Sequence, residues 1–418
     1  MKALPGGLLG KCLLLALALG TAASCNLSLF EMPTTKELHF EQRLFRRYLE
    51  ITVDNTGITE QLEDFPVLVR LDNSRISDPE LLDPALDRFR FYDESGNFLA
   101  FDVESYDPLG DTFIWVKVPR IEADSNSTRF FLYFDLDPRH DGLTPAPRDV
   151  WSNGYLGVWH LSETTAAGPR YYSDRSGNYN TGTSELDDLD PDTPIIEPDP
   201  LTGPAPAAGR IAGGQRIVNL SDGIRIDPSF TQDLGPMSLS FWINADAVTA
   251  SGRLFHKGDS TSTPLDVYCA DGTGTMNTEI HFDTAPLLLE QSGELGGAVG
   301  SWRWYCINWT GTAECGGSGV GDDELNGVFV YLDGVWQNGN RVVQDGVGTY
   351  PVGDRYTAAY IGNAWWTTAG LATAGFPGTF DEVRVSTVAR SPRWIEAQYR
   401  SMTTDTYLNY APEVIIDW

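Results

Sequence analysis

The chain has 418 residues, more than one ordinary domain needs. Hydrophobic residues make up 41% and aromatics 11%, enough for real cores. Asp and Glu number 58 against 29 Lys and Arg, a formal charge of −29; such a surface repels nucleic acid and anionic membranes and suits solubility, divalent cations or neutral polymers.

The first residues differ from the rest. Lys2 and Lys11 flank a glycine-rich start, followed by the apolar run Leu13 to Leu19 and the small residues Gly20 to Ser24. A basic start, a short apolar run and small residues before a cut site read as a signal peptide over 1–24. The run is too short for a stable membrane anchor. Ala22-Ala23-Ser24-Cys25 resembles a bacterial lipobox, although the usual Leu three residues before the Cys is missing. That resemblance makes Cys25 a lipidation site and the protein an outer-membrane or cell-surface lipoprotein; ordinary cleavage near Ala23 or Ser24 leaves it periplasmic or secreted. Cys12 leaves with the signal, so Cys269, Cys306 and Cys315 remain. Export permits a disulfide, and the candidates are Cys306 with Cys315, or Cys269 with either.

Residues 25–42 read as a polar tether. An N-terminal β-sandwich is expected over 43–137. Its six strands are Tyr48–Val53, Phe65–Leu71, Phe89–Tyr92, Phe101–Tyr106, Thr112–Pro119 and Arg129–Phe134, each bounded by turn residues such as Asp54-Asn55-Thr56-Gly57. A Pro/Asp/Arg connector covers 138–150. A second β-domain spans 151–403, with an acidic, proline-rich stretch at 184–209 read as a surface insertion. Its strands include Ser238–Ile243, Arg253–Lys257, Leu265–Cys269, Trp302–Trp309, Val328–Leu332 and Thr379–Val385. Asp333-Gly334 between two apolar runs is the strongest hairpin signal. Ser391 caps one short helix with Pro392 at its first position, and Ile395, Tyr399 and Met402 share a face; the helix is expected to close the end of the second domain. Residues 404–418 read as a C-terminal tail. The fold class is therefore all-β, two consecutive sandwiches with one short C-terminal helix.

Residues 45–134 resemble a bacterial domain of unknown function. The carriers are Arg47-Tyr48, Ile51-Thr52-Val53, Asp64 to Val69, Phe89 to Asp93 and Ile114 to Pro119. That module precedes jelly rolls in secreted and envelope proteins, some found beside MotA/TolQ/ExbB proton channels. Residues 155–400 are similar to laminin-G-like, concanavalin A-like jelly rolls. The carriers here are Asp174 to Gly182, Ser240-Phe241-Trp242-Ile243, Leu332-Asp333-Gly334, Tyr360 to Asn363 and Gly378 to Val385.

The resemblance brings in glycoside hydrolases of the same class, whose two acids share one strand face. Here Asp381 and Glu382 are adjacent, so in a regular strand they point to opposite faces. The sequence has no H-E-x-x-H, G-x-S-x-G or P-loop pattern, and His39, His140, His160, His256 and His281 form no recognisable set. A non-enzymatic binding protein is expected. Related jelly rolls hold a structural calcium at the Asp381 position with backbone carbonyls near the domain's start, so the resemblance implies calcium there. Asp174 and Asn178, in an Asp-x-Ser-Gly-Asn loop, are a second candidate set. The alternatives are an Asp381–Arg384 ion pair and an Asx-turn at Asp174. For carbohydrate or an extracellular polymer, exposed rings flanked by polar groups are needed. The candidates are Trp365 and Trp366, then Trp336, Tyr171 and Tyr172. Another envelope protein is the alternative partner; nucleic acid is excluded, and a membrane is reached only through the lipid anchor.

Overall fold

The computed structural model describes residues 44–136, 147–164, 171–184, 203–220, 222–226, 235–258, 263–281, 286–291, 295–311, 327–337, 341–344, 358–364 and 374–416. The signal segment, the tether, Cys25 and Cys315 lie outside them. Among the described residues no helix is long and apolar enough to cross a membrane.

The N-terminal sandwich pairs two antiparallel sheets. One runs Leu408–Tyr410, Phe45–Val53, Thr128–Leu136, Phe89–Asp93, Phe98–Leu99, with Val414–Ile415 paired to the other half of Phe45–Val53. The other holds Leu62–Leu71, Thr112–Ile121 and Phe101–Ser105. All six expected strands form. Alternation sets the core: Val67, Val69, Ile114, Val116 and Phe101 point inward, against Leu49, Ile51, Phe130 and Leu132. The expected C-terminal tail is corrected, because Leu408–Tyr410 and Val414–Ile415 complete the first sheet of the N-terminal sandwich. Tyr407 and Leu408 are buried in its core.

The second sandwich packs a nine-stranded sheet on an eight-stranded one. The nine-stranded order is Arg341–Gln344, Leu287–Gln291, Met276–Ile280, Leu265–Cys269, Arg253–Lys257, Ala359–Ile361, Ile224–Ile226, Gly182–Thr183, Tyr171–Tyr172. The eight-stranded order is Ala205–Ala208, Gly213–Ile217, Gly378–Ser386, Met237–Ala245, Trp302–Trp309, Val328–Leu332, Val335–Trp336, with Tyr155–Trp159 also paired to Gly378–Ser386. Leu239, Phe241, Ile243, Tyr305, Ile307, Val383 and Val385 fill the space between the sheets. The Asp-Gly hairpin forms as read: Leu332 faces Val335, and Asp333 and Gly334 have φ of 51° and 76°. The end of the expected insertion is not loop, since Ala205–Ala208 forms an edge strand against Gly213–Ile217.

The strands that build the two cores also carry large apolar residues on their other faces. Leu68 and Trp115 from the N-terminal sandwich meet Val158, Trp242, Trp304, Cys306 and Tyr331 from the eight-stranded sheet, with Val150 from the connector's end and Trp151 from the start of the second domain. This third core joins the sandwiches, and residues 39–418 form one compact unit. An indole removes about 150–250 Å² from water, about 4–6 kcal/mol at about 25 cal/mol per Å². Trp115, Trp151, Trp242 and Trp304 are all buried here. The helix Pro392–Thr403 lies in the same seam, which corrects the expectation that it closes the second domain's end. Ser391 Oγ caps it, accepting from Trp394 N–H at 3.0 Å. Ile395 and Met402 join the seam core with Tyr399 packed on it, while Trp394 and Ala397 enter the N-terminal core. The Trp394 ring meets Phe65 edge-on at 4.7 Å.

Candidate functional site

Two groups of polar side chains stand out, one on the outer face of the nine-stranded sheet and one buried in the seam. On the outer face, strand alternation turns Leu265, Val267, Cys269, Met276 and Ile280 inward and brings Asp266, Tyr268, Asn277 and Glu279 out. Register makes them neighbours: Asp266 faces Glu279, Tyr268 faces Asn277, His256 faces both Asp266 and Tyr360. Arg253 Nε donates to Asp266 Oδ2 at 2.9 Å, and His256 Nδ1 lies 3.2 Å from Asp266 Oδ1. The Arg253 guanidinium sits 4.4 Å over the Tyr268 ring. Asn277 Nδ2 donates to the Tyr268 hydroxyl at 3.1 Å, while Asn277 Oδ1 has no partner among the described residues. Burial pushes the Tyr268 hydroxyl's pKa up.

The seam group is built on a β-bulge. Trp242 faces Asp381 and Ser240 faces Arg384, so Glu382 and Val383 together stand opposite Phe241. Phe380 and Val383 both point into the jelly-roll core. The two acids between them therefore both turn outward, Glu382 with φ of 51°. The expectation of opposite faces fails here because the strand is not regular. Asp102 and Glu104 project toward the same place from Phe101–Ser105, and His160 follows the strand Tyr155–Trp159.

His160 Nδ1 is 2.5 Å from Glu382 Oε1, and its Nε2 is 3.2 Å from Asp102 Oδ2. Arg384 donates to Glu382 Oε2, with its Nε at 3.0 Å, and Arg175 donates to both oxygens of Asp102. Trp151 Nε1 adds a bond to Asp102 at 3.0 Å, and Trp115 Nε1 one to Glu104 Oε2 at 2.8 Å. The Trp115 ring is parallel to His160 within 3°, and the Arg384 guanidinium lies 4.1 Å from Trp115 and 4.8 Å from Trp151. Burial works to raise Glu382's pKa, but His160 and Arg384 override it and bring it down to about 2. Burial is likewise overridden at Asp102, held well below the usual range by His160 and Arg175. Burial, then the Glu382 charge, raises Glu104 and Asp381. His160 is raised despite burial, chiefly by the Glu382 and Glu104 charges.

The calcium candidates separate. Asp174 Oδ1 accepts from Val158 and Ser176 N–H, and Oδ2 from Ser176 Oγ and Asn180 N–H. Asn178 Nδ2 donates to the carbonyls of Tyr155 and Leu156. That is an Asx-turn staple with its oxygens spent on donors, and it does not fit a cation. Asp381 Oδ2 accepts from the N–H groups of Arg210 and Ile211, at 2.7 and 2.8 Å. Its Oδ1 is buried and has no partner among the described residues, so one oxygen of the three-residue set remains open. The acid that pairs Arg384 is Glu382, not Asp381.

The sugar candidates do not converge. Trp365 and Trp366 lie outside the described residues, directly after Ala364. Tyr171 is 63% exposed on an edge strand, but Tyr172 is fully buried in the core, which corrects its reading as a surface ring. Trp336 is half-buried against Phe329, on the seam side of the molecule. The Cys306–Cys315 staple is also corrected. Cys306 is a free thiol buried in the seam, and Cys269 is a free thiol in the jelly-roll core, on the other sheet. A cleft of about 260 Å³ opens at the seam edge between Arg70, Arg75, Asp111, Arg210 and Tyr410. Its guanidiniums are already engaged, Arg70 with Asp111, Arg75 over Tyr410 and Arg210 over Trp242.

With two sandwiches of this form, the chain is an all-β protein whose C-terminal part is concanavalin A-like. Residues 219–396 match the family model described as the concanavalin A-like lectin/glucanases superfamily, and residues 86–141 match a domain of unknown function, DUF2341. No curated protein matches the chain. Among solved structures it is similar to domain 4 of AbnA, a GH43 extracellular arabinanase from Geobacillus stearothermophilus, in complex with arabinotriose. Identity is 17%, over 58% of this chain and 96% of that one, with a TM-score of 0.34. It is also similar to the binding domain of Paraclostridial Mosquitocidal Protein 1, at 11% identity over 59% and 52% and a TM-score of 0.39. A third is Trypanosoma rangeli sialidase in complex with 2,3-difluorosialic acid, at 13% identity over 61% and 34% and a TM-score of 0.38. The chain spans about half of the mosquitocidal domain's structure and a third of the sialidase's.

Proposed function

We propose that this is an exported, non-catalytic binding protein that takes neutral carbohydrate on the outer face of its nine-stranded sheet. The observation that carries the reading is the Arg253–Asp266–Tyr268–Asn277 group. It joins an aromatic face, a carboxylate, a guanidinium and an amide whose Oδ1 has no partner among the described residues. Rings supply apolar area for a pyranose face, and planar polar groups fix hydroxyls in one orientation. Held on three neighbouring strands, they are positioned before a ligand arrives. Trp365 and Trp366 lie outside the described residues and enter the reading as candidates that the experiment below tests.

Catalysis by the seam acids is disfavoured by their surroundings. Glu382 is committed to Arg384 and His160, and Asp381 to two backbone N–H groups, with no exposure to a sugar. Cleavage within 1–24 and lipidation at Cys25 fit the same reading, tethering the sandwiches to an outer membrane through 25–42.

The test is a glycan array probed with the full chain, Tyr268→Ala, and the pair Trp365→Ala and Trp366→Ala. Binding to neutral glycans that falls at least tenfold in Tyr268→Ala supports the reading. No glycan signal, or equal binding by all variants, overturns it. Palmitate labelling that disappears in Cys25→Ala tests the anchor.

A further inference from the structure

We propose that the seam between the sandwiches binds one divalent first-row transition ion, with the preferences of zinc, on His160 Nδ1 and the carboxylates of Glu104 and Glu382. The three ligand atoms lie within 4.8 Å of one another. Glu382 Oε1 is 2.5 Å and Glu104 Oε2 3.8 Å from Nδ1. Ligands on bonds of about 2 Å need a separation a little over 3 Å, so a side-chain shift of less than about 1 Å at each seats the ion.

Four further observations point to the ion. First, metal-binding histidines present their other ring nitrogen to a carboxylate, which fixes the tautomer. Asp102 does this for His160 Nε2, and is itself held by Arg175 and Trp151. With Nε2 so engaged, Nδ1 faces the two glutamates, and its lone pair becomes a ligand once the proton it shares with Glu382 leaves. Second, Glu104 Oε1 and Asp381 Oδ1 are buried and have no partner among the described residues, on side chains that are fully enclosed. A buried acceptor without a donor is costly unless something absent supplies the interaction. Third, the group holds four buried carboxylates, Asp102, Glu104, Asp381 and Glu382, against two guanidiniums, Arg175 and Arg384. With the four acids ionised and the imidazole neutral, the state in which such groups ligate a metal, this leaves two negative charges, which one divalent ion cancels. Fourth, an imidazole nitrogen between carboxylates suits zinc-like ions rather than calcium, which takes six to eight oxygens.

On binding, the ion replaces the proton shared between Nδ1 and Glu382 Oε1, and any proton on Glu104; both leave to solvent. Glu382 Oε2 keeps Arg384. Glu104 comes from the N-terminal sandwich, His160 and Glu382 from the jelly roll, so the ion ties the two together.

The experiment uses the full chain, stripped with a chelator and titrated with Co²⁺. The expected result is one Co²⁺ per chain, with visible d–d absorption of a four- or five-coordinate site, displaced by Zn²⁺. Glu104→Gln, which keeps an acceptor for Trp115, weakens binding at least about tenfold. His160→Gln does the same, and His281→Ala, on the half-buried His281–Glu279 pair, leaves it unchanged. In the unmodified chain, Co²⁺ shifts the Trp115 and Trp151 indole N–H resonances, which tests the position without any substitution. Absence of stoichiometric binding overturns the proposal. So does wild-type-like binding by a cooperatively melting Glu104→Gln chain, or bound Co²⁺ that leaves both indole signals in place.

Discussion

His160 Nδ1 and Glu382 Oε1 stand 2.5 Å apart, joining the end of one edge strand to the bulge of its neighbour in a site sealed by Trp115 and Trp151. Among the described residues, Glu382 is the carboxylate that pairs with Arg384. Glu382→Gln removes one negative charge and leaves the Arg384 and His160 cations facing each other in a buried site. The expected cost in chelator-treated protein is about 3–5 kcal/mol, the usual penalty for stripping one partner from a buried pair. Chemical denaturation at neutral pH measures it; a loss under about 1 kcal/mol would mean that water already solvates the site.

The seam makes a second expectation about cooperativity. Trp115 lies between the sandwiches, contacting Glu104, His160 and Arg384. The native chain is therefore expected to unfold in one calorimetric transition. Trp115→Ala costs about 3–5 kcal/mol, drawn from contacts between the sandwiches, and splits the melt into two. Two well-separated transitions in the unmodified chain would show that the seam couples the sandwiches weakly.

The strands were legible because each keeps a two-residue period on at least one face. The six expected strands of the N-terminal sandwich, the Asp333-Gly334 hairpin and the Ser391 cap follow from local rules. The seam was not read, though its signal was present. Trp115, Trp242 and Trp304 lie on strands whose inward positions are already apolar, and strands apolar on both faces are covered on both faces. The Glu382 bulge escaped for a different reason. Nothing local marks a glutamate for positive φ, and only tertiary packing of Phe380 and Val383 on one side forces the extra residue. His160 joined no recognisable set because its neighbour in space, Glu104, lies 56 residues away in the chain. A far longer separation hid the pairing of Leu408–Tyr410 with Phe45–Val53, a contact between the two ends of the described chain.

Cys306 offers a test of that seam by chemistry. The thiol is enclosed among Trp304, Tyr331 and the helix residue Ile395, and burial pushes its pKa far above the usual thiol value. In the folded, reduced chain it is expected to resist iodoacetamide at pH 8 and to react fully in denaturant. Mass spectrometry of Cys306-containing peptides reads the difference. Rapid labelling of the native chain, or a Cys306–Cys315 cross-link in most molecules, would contradict the buried free thiol.

Glu413 gives the last expectation, a pH dependence at the C-terminal strand. Its Oε1 accepts from Arg47 Nη1 at 2.7 Å and its Oε2 from Ser77 N–H at 2.8 Å, clamping Val414–Ile415 onto Phe45–Val53. Partial burial works to raise its pKa, but the Ser77 and Arg47 bonds prevail and hold it below the ordinary glutamate value. A carboxylate with a depressed folded pKa stabilises the fold above its unfolded pKa, near about 4.3, and loses that contribution as pH falls through the folded value. Glu413→Gln should therefore lower stability by up to about 1 kcal/mol at pH 7, the range of a partly exposed pair. The gap should close between about pH 5 and pH 3, where wild type is protonated too. Hydrogen exchange at Val414 and Ile415 reports it locally. A difference that grows on acidification would reverse the sign and remove Glu413 as the clamp.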